Sequence, residues 1–407
     1  MNIIFVTIAY PKNETESNLY SDLMLEFAQH GHKVYVACST EKRYGNETHL
    51  LANNGISVLR IKTGNITSNP NYITKGLAII QLQSIFINAI KKHYNDINFE
   101  LIIYSTPPIQ YNRIIKFLKK KSKAKTYLLL KDIFPQNAVD MGLLYKCNPI
   151  YWYFRMQEKR TYRLSDRIGC MSPANVRYLL SHNNFVLPKN VDVCVNSLMD
   201  RGCIAQAEKA EIRSKVREKL SIAESDFLFI YGGNLGISQG LSFLLQILDN
   251  YAHQEKIKFL IVGKDGTWFH KIENAVKGRA YSNVILHKRV TPEAFKEMLL
   301  ASDMGLIFLN PKFTIPNYPS RLTSCIEIGL PVIACTDKVS DVGDVIEEAG
   351  CGFKVISGDL NGFGKAVNRL IYDKELLKAM SLNARQLFEE SFTTKKSYTT
   401  IMQLFAK

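Results

Sequence analysis

This sequence of 407 residues lacks most of the signatures by which a site announces itself. Its eight cysteines include no C-x-x-C pair, and no cysteine–histidine cluster has zinc spacing. Cys38, Cys170, Cys194 and Cys335 sit in apolar, strand-like runs. The set therefore reads as buried thiols in a reducing compartment. The eight histidines show no triad spacing. No apolar stretch approaches the roughly 20 residues that cross a bilayer. The opening MNIIFVTIAYP has neither a basic n-region nor a cleavage site, so it reads as a first strand and not an export signal. The N-x-T sequons at Asn13, Asn46 and Asn65 then lack a secretory route, and a cytoplasmic location is expected. No short-period repeat or low-complexity tract appears.

What is present is a soluble globular composition, 46% hydrophobic and 22% charged, with a net charge of +15. The charge is uneven: residues 1–200 carry +11 and the remainder +4. An anionic partner is thus expected on the first half. A chain this long exceeds one ordinary core, so two domains are expected. Short β-branched runs (2–8, 33–38, 57–61, 100–105, 126–132, 167–172, 191–196) alternate with helical patterns such as 17–31 and 114–121. A second set follows at 227–233, 257–263, 283–288, 304–309, 331–335 and 352–356. Such alternation predicts an α/β fold of two doubly wound, Rossmann-like domains with parallel sheets. The hinge is expected near Ser197–Ala210, where the strand pattern lapses. Ligands in such folds bind beyond the carboxyl ends of strands, so a cleft between the two sheets is the expected site.

Three loops after strands could carry chemistry. YGGNLGISQG (231–240) joins a strand to a helix. It is no dinucleotide fingerprint, because Tyr231 stands where G-x-G-x-x-G needs its first glycine, and it has no G-K-[ST]. Gly232, Gly233 and Gly236 would let backbone N–H groups approach an anion near a helix N-terminus. The same glycines equally suit a turn that needs them only for shape. In IPNYPSRLTSCIEIGLPVIA (315–334), Pro316 and Pro319 delay a helix until Ser320, a candidate N-cap. Arg321 then falls in the first helical turn, where a cation is disfavoured by the dipole and an anion would explain it. A surface arginine is the bland alternative. In KDIFPQNAVDMGLL (131–144), Asp132 ends a strand and is either a site carboxylate or a turn aspartate before proline.

Together these features resemble the retaining glycosyltransferases of family 4, of the two-domain GT-B fold. Gly31-His32-Lys33-Val34 resembles the family's entry to its second strand, and Lys131-Asp132-Ile133-Phe134-Pro135 its [H]D-x-x-P segment. Tyr231–Gly240 and Pro319-Ser320-Arg321 followed by Gly329-x-Pro331-Val332-Ile333 are similar to a subgroup that builds bacterial capsule and O-antigen sugars. The resemblance runs along nearly the whole chain. It implies an acceptor-side domain over 1–200, a nucleotide-sugar domain over 201–385, and a C-terminal helix over 386–407 packing back on the first domain. The departures are that Asn234 and Gln239 replace the family's diphosphate-binding cations, and that Pro316 and Ser324 replace its Glu-x7-Glu pair. KNETES (12–17) replaces the glycines after the first strand.

The resemblance further implies transfer from a nucleotide-diphospho sugar, UDP-linked and N-acetylated by the subgroup's habit, with anomeric retention. No bound metal is expected, and no D-x-D triplet is present to hold one. Arg321 and the backbone around Gly233, Leu235 and Gly236 would meet the charge growing on the diphosphate, with Asn234 and Gln239 adding neutral hydrogen bonds. The base would lie near Lys264-Asp265-Gly266 and His287–Val290, with Arg289 on base or diphosphate. Ser320 belongs to the same motif, Ser324 would reach the ribose, and Glu327 is a stand-in for the missing carboxylate. Asp132 would face the sugar or the acceptor hydroxyl. The acceptor would be an oligosaccharide or a polyprenyl-diphosphate-linked glycan. The segments 73–94, 116–125 and 149–163 mix apolar or aromatic residues with Lys and Arg, which suits an anionic membrane surface or ordinary core-facing helices. Other readings are a catalytically inactive scaffold that holds a glycan or partner, and a sugar-nucleotide epimerase on the same fold. Nucleic acid is not expected, since the charge gathers on no recognisable motif.

Overall fold

A computed structural model describes residues 1–11, 16–66 and 72–405, with the backbone alone at residue 53 and over 72–77. Asn13, most of the KNETES segment and the start of the 73–94 segment's side chains lie outside the described residues. The chain forms two compact units, Met1–Met199 with Thr394–Lys407, and Asp200–Thr393.

Unit 1 is built on β1 (Asn2–Thr7), β2 (Lys33–Glu41), β3 (His49–Asn53), β4 (Ile56–Thr63), β5 (Leu101–Ser105), β6 (Lys125–Leu130), β7 (Arg167–Cys170) and β8 (Val191–Val193). Their order across the sheet is β3-β4-β2-β1-β5-β6-β7-β8. Ile3, Ile4, Phe5 and Val6 of central β1 are wholly buried, as a strand covered on both faces requires. One strand departs from the all-parallel expectation: β3 runs antiparallel to β4. The link between them is Asn54-Gly55, both at positive φ, the two-residue hairpin turn that an Asn-Gly pair favours.

Residues 394–402 form a helix against the helix Leu19–Gln29 of the same unit. Tyr398 meets Phe27 edge-on at 4.9 Å and stacks on His30 at 3.9 Å. Its hydroxyl lies 3.1 Å from His32 Nε2, and Thr394 Oγ1 donates to Glu26 Oε2 at 2.6 Å. The return to unit 1 therefore comes at Thr394, later than the expected 386. The helix Lys374–Ser391 stays in unit 2, where Ser381 donates to the Gly329 carbonyl at 2.6 Å and Arg385 to the Glu327 carbonyl at 2.7 Å.

Unit 2 has β9 (Phe227–Gly233), β10 (Ile257–Gly263), β11 (Val284–Lys288), β12 (Met304–Phe308), β13 (Val332–Thr336) and β14 (Gly352–Ile356). All pairs are parallel, in the order β11-β10-β9-β12-β13-β14. The chain starts mid-sheet at β9, winds outward to β11, and crosses back to β12. The carboxyl ends of β9 and β12 flank the point where winding reverses, which is where open α/β sheets bind ligands.

Arg217 fastens the first helix of unit 2, Gln206–Lys219, beneath this sheet. It is 1% exposed. Its guanidinium donates to the carbonyls of Ala301, Ala223 and Asp226 and to Asp303 Oδ2 at 2.7 Å. Arg217→Ala leaves Asp303 and three carbonyls without this partner, and is expected to lower unfolding free energy by about 3–5 kcal/mol in denaturant titration.

Candidate functional site

The turn after β9 is shaped by neighbours on both sides. A Cβ on Gly232 would stand 2.1 Å from the Phe295 ring, so packing alone demands glycine there. Gly233 has φ +123°, and a Cβ on it would lie 3.3 Å from Arg321 Nη2. The backbone N–H groups of Asn234, Leu235 and Gly236 donate no hydrogen bond among the described residues. Adjacent unpaired N–H groups in a glycine turn form a concavity suited to an anion. The Leu235 side chain points the other way, into the core beside Gly263, so only its backbone can serve a ligand. The expected helix follows the turn as Leu241–Asn250. A single 3₁₀ turn, Ile237–Gln239, and left-handed Gly240 precede the helix Leu241–Asn250. Gln239 Nε2 is turned to Ser238 Oγ at 3.1 Å, and its buried Oε1 has no partner.

Arg321 is the first residue of the short helix Arg321–Glu327. Ser320 occupies the N-cap position but is helical in conformation and makes no side-chain cap bond, so the capping role expected of it is not taken up. Gly329, at φ +71°, closes the helix: its N–H reaches Ile326 O and that of Leu330 reaches Cys325 O, the paired bonds of a Schellman end. The Arg321 guanidinium lies 4.4 Å from the centroid of the Tyr231 ring. Tyr231 is fully buried, and its hydroxyl donates to the Asn234 carbonyl at 3.1 Å. One side chain thus holds both the arginine and the turn. Arg321 Nη1 is itself buried with no hydrogen-bond partner. A buried, unpaired donor on a charged group is costly, and an arriving anion would relieve it.

A cavity of about 420 Å³ opens at the ends of β9, β10 and β11. It gathers Gly233, Asn234, Lys264, Arg289 and Val290 from the sequence candidates. Lys264 and Arg289 are exposed and form no ion pair among the described residues. Neighbouring charges are already engaged: Asp265 pairs with Lys288 at 3.0 Å and His270 at 2.9 Å. Phe295, Thr291 and Pro292 also line the cavity and were missed. Thr291 caps the helix Pro292–Ala301, so the helix N-terminus at this cavity belongs to that element and not to the one after the glycine turn. The Thr-Pro pair marks that cap in sequence, but nothing there shows what it faces. Ser320, Ser324 and Glu327 are not among the cavity's lining residues, and Glu327 Oε1 is bound to Lys296 Nζ at 2.9 Å.

Asp132 follows β6 in unit 1. Asn137 Nδ2 donates to its Oδ2 at 2.6 Å, and Thr106 Oγ1 to its carbonyl at 3.1 Å. Burial raises its carboxyl to about 6, against the hydrogen bonds to Ile133 N–H and Asn137, and Glu158 adds to the rise. Neighbouring Lys131 is turned inward to the carbonyls of Cys194 and Val195, and burial lowers its ammonium.

Residues 212–387 match the family model described as glycosyl transferases group 1. The chain is 22% identical over 310 residues to the probable glycosyltransferase WbjE of Pseudomonas aeruginosa, covering 74% of each. It is 25% identical over 195 residues to the N-acetyl-alpha-D-glucosaminyl L-malate synthase of Bacillus anthracis, covering 46% of this chain and 48% of that one. Among solved structures, Anabaena HepE in complex with UDP and glucose superposes with a TM-score of 0.72 at 14% identity, over 100% of this chain and 99% of the other. The fold is GT-B, and the class is that of the group 1 glycosyltransferases. The matched domain lies within the second unit, Asp200–Thr393.

A carboxyl raised by burial favours folding while protonated: that contribution is complete below pH about 4 and lost as pH rises through about 6. Asp132→Asn is therefore expected to compare better with the unsubstituted protein in melting temperature above pH about 7 than below pH about 4. An offset independent of pH would contradict the raised carboxyl.

Proposed function

We propose that this glycosyltransferase moves an N-acetylated amino sugar from a UDP-linked donor, with retention at the anomeric carbon, to a glycan or polyprenyl-diphosphate-linked acceptor in bacterial capsule or O-antigen synthesis. The observation that carries the donor end is the Gly233–Gly236 turn. Its unpaired N–H groups lie beside the unpaired Nη1-bearing guanidinium of Arg321, next to a cavity rimmed by the free cations Lys264 and Arg289. As the glycosidic bond breaks, the electron pair stays with the diphosphate. Donors fixed in place beforehand then stabilise the transition state more than the ground state. Asn234 and Gln239 contribute neutral contacts, so charge neutralisation falls on side chains from other loops, and the transfer is assigned no metal. Val290 and Arg289 are assigned to the base and its phosphate, Ser320 and Ser324 to the ribose side. Glu327, held by Lys296, is assigned a positioning role and not a ribose contact.

The UDP assignment is supported by HepE, solved with UDP, and the amino sugar by the glucosaminyl relative from Bacillus anthracis. Asp132 is assigned the acceptor hydroxyl, because a carboxyl titrating near 6 can accept a proton at neutral pH. The acceptor's polyprenyl chain places the enzyme at the cytoplasmic face of a membrane. No helix among the described residues is long and apolar enough to cross one.

The deciding experiment is release of free nucleotide from a panel of nucleotide sugars. UDP-N-acetylhexosamines are expected to release UDP. UDP alone is expected to raise the melting temperature, corresponding to about 2.7 kcal/mol at a hundredfold excess over Kd. Arg321→Ala is expected to cut turnover at least about a hundredfold while the protein stays folded, as read by circular dichroism. Turnover that survives this change removes Arg321 from the phosphate site. UDP binding with no release from any donor would instead establish a non-catalytic scaffold, consistent with Pro316 and Ser324 standing at the Glu-x7-Glu positions.

A further inference from the structure

Exposed apolar side chains cluster in one stretch of unit 1. Leu143 is 65% exposed, Tyr145 68%, Ile150 54% and Trp152 61%. They lie on the turn before, and the first turn of, the helix Pro149–Leu164. Along that helix Trp152, Met156, Lys159 and Arg163 are spaced four, three and four apart, so they share one face. Tyr151, Glu158, Thr161 and Tyr162 occupy the buried face. The outer stripe is therefore apolar in its first half and basic in its second. It continues past the helix: the Arg163 guanidinium sits 4.3 Å from the ring of Phe185, itself 36% exposed, and Arg155 ties the helix to His182 O and Asn183 Oδ1.

Basic residues predominate in this segment, although Asp140, which accepts from Gln136 Nε2 at 2.7 Å, immediately precedes it. Between residues 141 and 165 the sole acidic residue is Glu158, which is buried against Arg155 and the Tyr162 hydroxyl. Lys146, Lys159, Arg160 and Arg163 form no ion pair among the described residues. Trp152 and Tyr145 stand 61% and 68% exposed, beyond the cover of the core. Aromatic side chains beside unpaired Lys and Arg match the layered chemistry of a bilayer interface, hydrocarbon beneath and phosphate above.

We propose that the turn 143–150 and the outer stripe of the helix Pro149–Leu164 form a docking surface for an anionic phospholipid membrane. Trp152, Tyr153 and Ile150 enter the interfacial layer. Arg160, Arg163 and Lys159 meet lipid phosphates. The inference deepens the membrane-linked acceptor proposed above but does not depend on it, because docking needs no donor and no turnover.

The test is cosedimentation of the full chain with vesicles of phosphatidylcholine alone, or of phosphatidylcholine mixed with phosphatidylglycerol. Binding is expected to the mixed vesicles and to weaken with salt. Trp152→Ala with Tyr153→Ala is expected to weaken it at least about tenfold. Arg160→Gln with Arg163→Gln is expected to weaken it by roughly fivefold per charge removed. Melting temperature and UDP binding of these variants should stay unchanged, which separates loss of docking from loss of fold or donor site. Failure to bind the mixed vesicles, or variants that bind as the unsubstituted protein does, would overturn the proposal. So would sedimentation velocity showing a dimer that the Trp152 and Tyr153 changes dissolve.

Discussion

The stacking of the Arg321 guanidinium on the Tyr231 ring is the contact that ties the turn after β9 to the helix Arg321–Glu327. Tyr231 is anchored by complete burial in β9, beside Phe308 of β12. Its ring face holds a cation from the loop after β12, and its hydroxyl holds the carbonyl of Asn234. The end of β9 and the helix that begins at Arg321 are thereby fixed with respect to each other through one side chain. Gly233 completes the arrangement, since any side chain there would press on the same guanidinium. A half-buried arginine held by a π face and not by a carboxylate keeps its charge uncompensated, so its electrostatic reach is available to a ligand.

The neutral first loop has a counterpart in the loops around it. Asn234 and Gln239 carry no charge, whereas Lys264 follows β10, Arg289 follows β11 and Arg321 follows the β12 crossover. Positive charge is thus spread over three strand ends and not concentrated on one turn. Distributed cations cost less mutual repulsion in the empty site than a clustered pair. Each also sits on a different segment of the sheet edge, so the sheet, and not one loop, sets their geometry.

The fold was legible because buried parallel strands write themselves as β-branched runs; β1, β9 and β10 could be bounded from sequence nearly to the residue. The β3–β4 hairpin escaped because HLLAN is half exposed and weakly patterned, although Asn54-Gly55 carried the turn signal. The geometry on which the proposed donor site rests was legible where a loop must be glycine or where a cation sits against a helix dipole, as at Gly233 and Arg321. Phe295 was not, because its contact with Gly232 joins segments far apart in sequence and leaves no local periodicity. Ser320, read as a helix cap, follows prolines that set a helical turn before any cap bond can form. Tyr231 was noticed only as an obstacle to a dinucleotide motif; its role depends on Arg321 lying above it, which no spacing along the chain conveys.

The helix from Thr394 also sets an order of assembly. Its partners, Phe27, His30 and Glu26, are among the first residues made, yet Tyr398 emerges only after all of unit 2. During synthesis the face of the helix Leu19–Gln29 that carries Glu26 and Phe27 therefore stays uncovered while some two hundred further residues are added. The clasp closes last, and it joins the two ends of unit 1 across a whole inserted domain. Such closure makes unit 1 cooperative with a segment more than three hundred residues away, so a chain cut short before Thr394 would lose order at its beginning, not merely at its end.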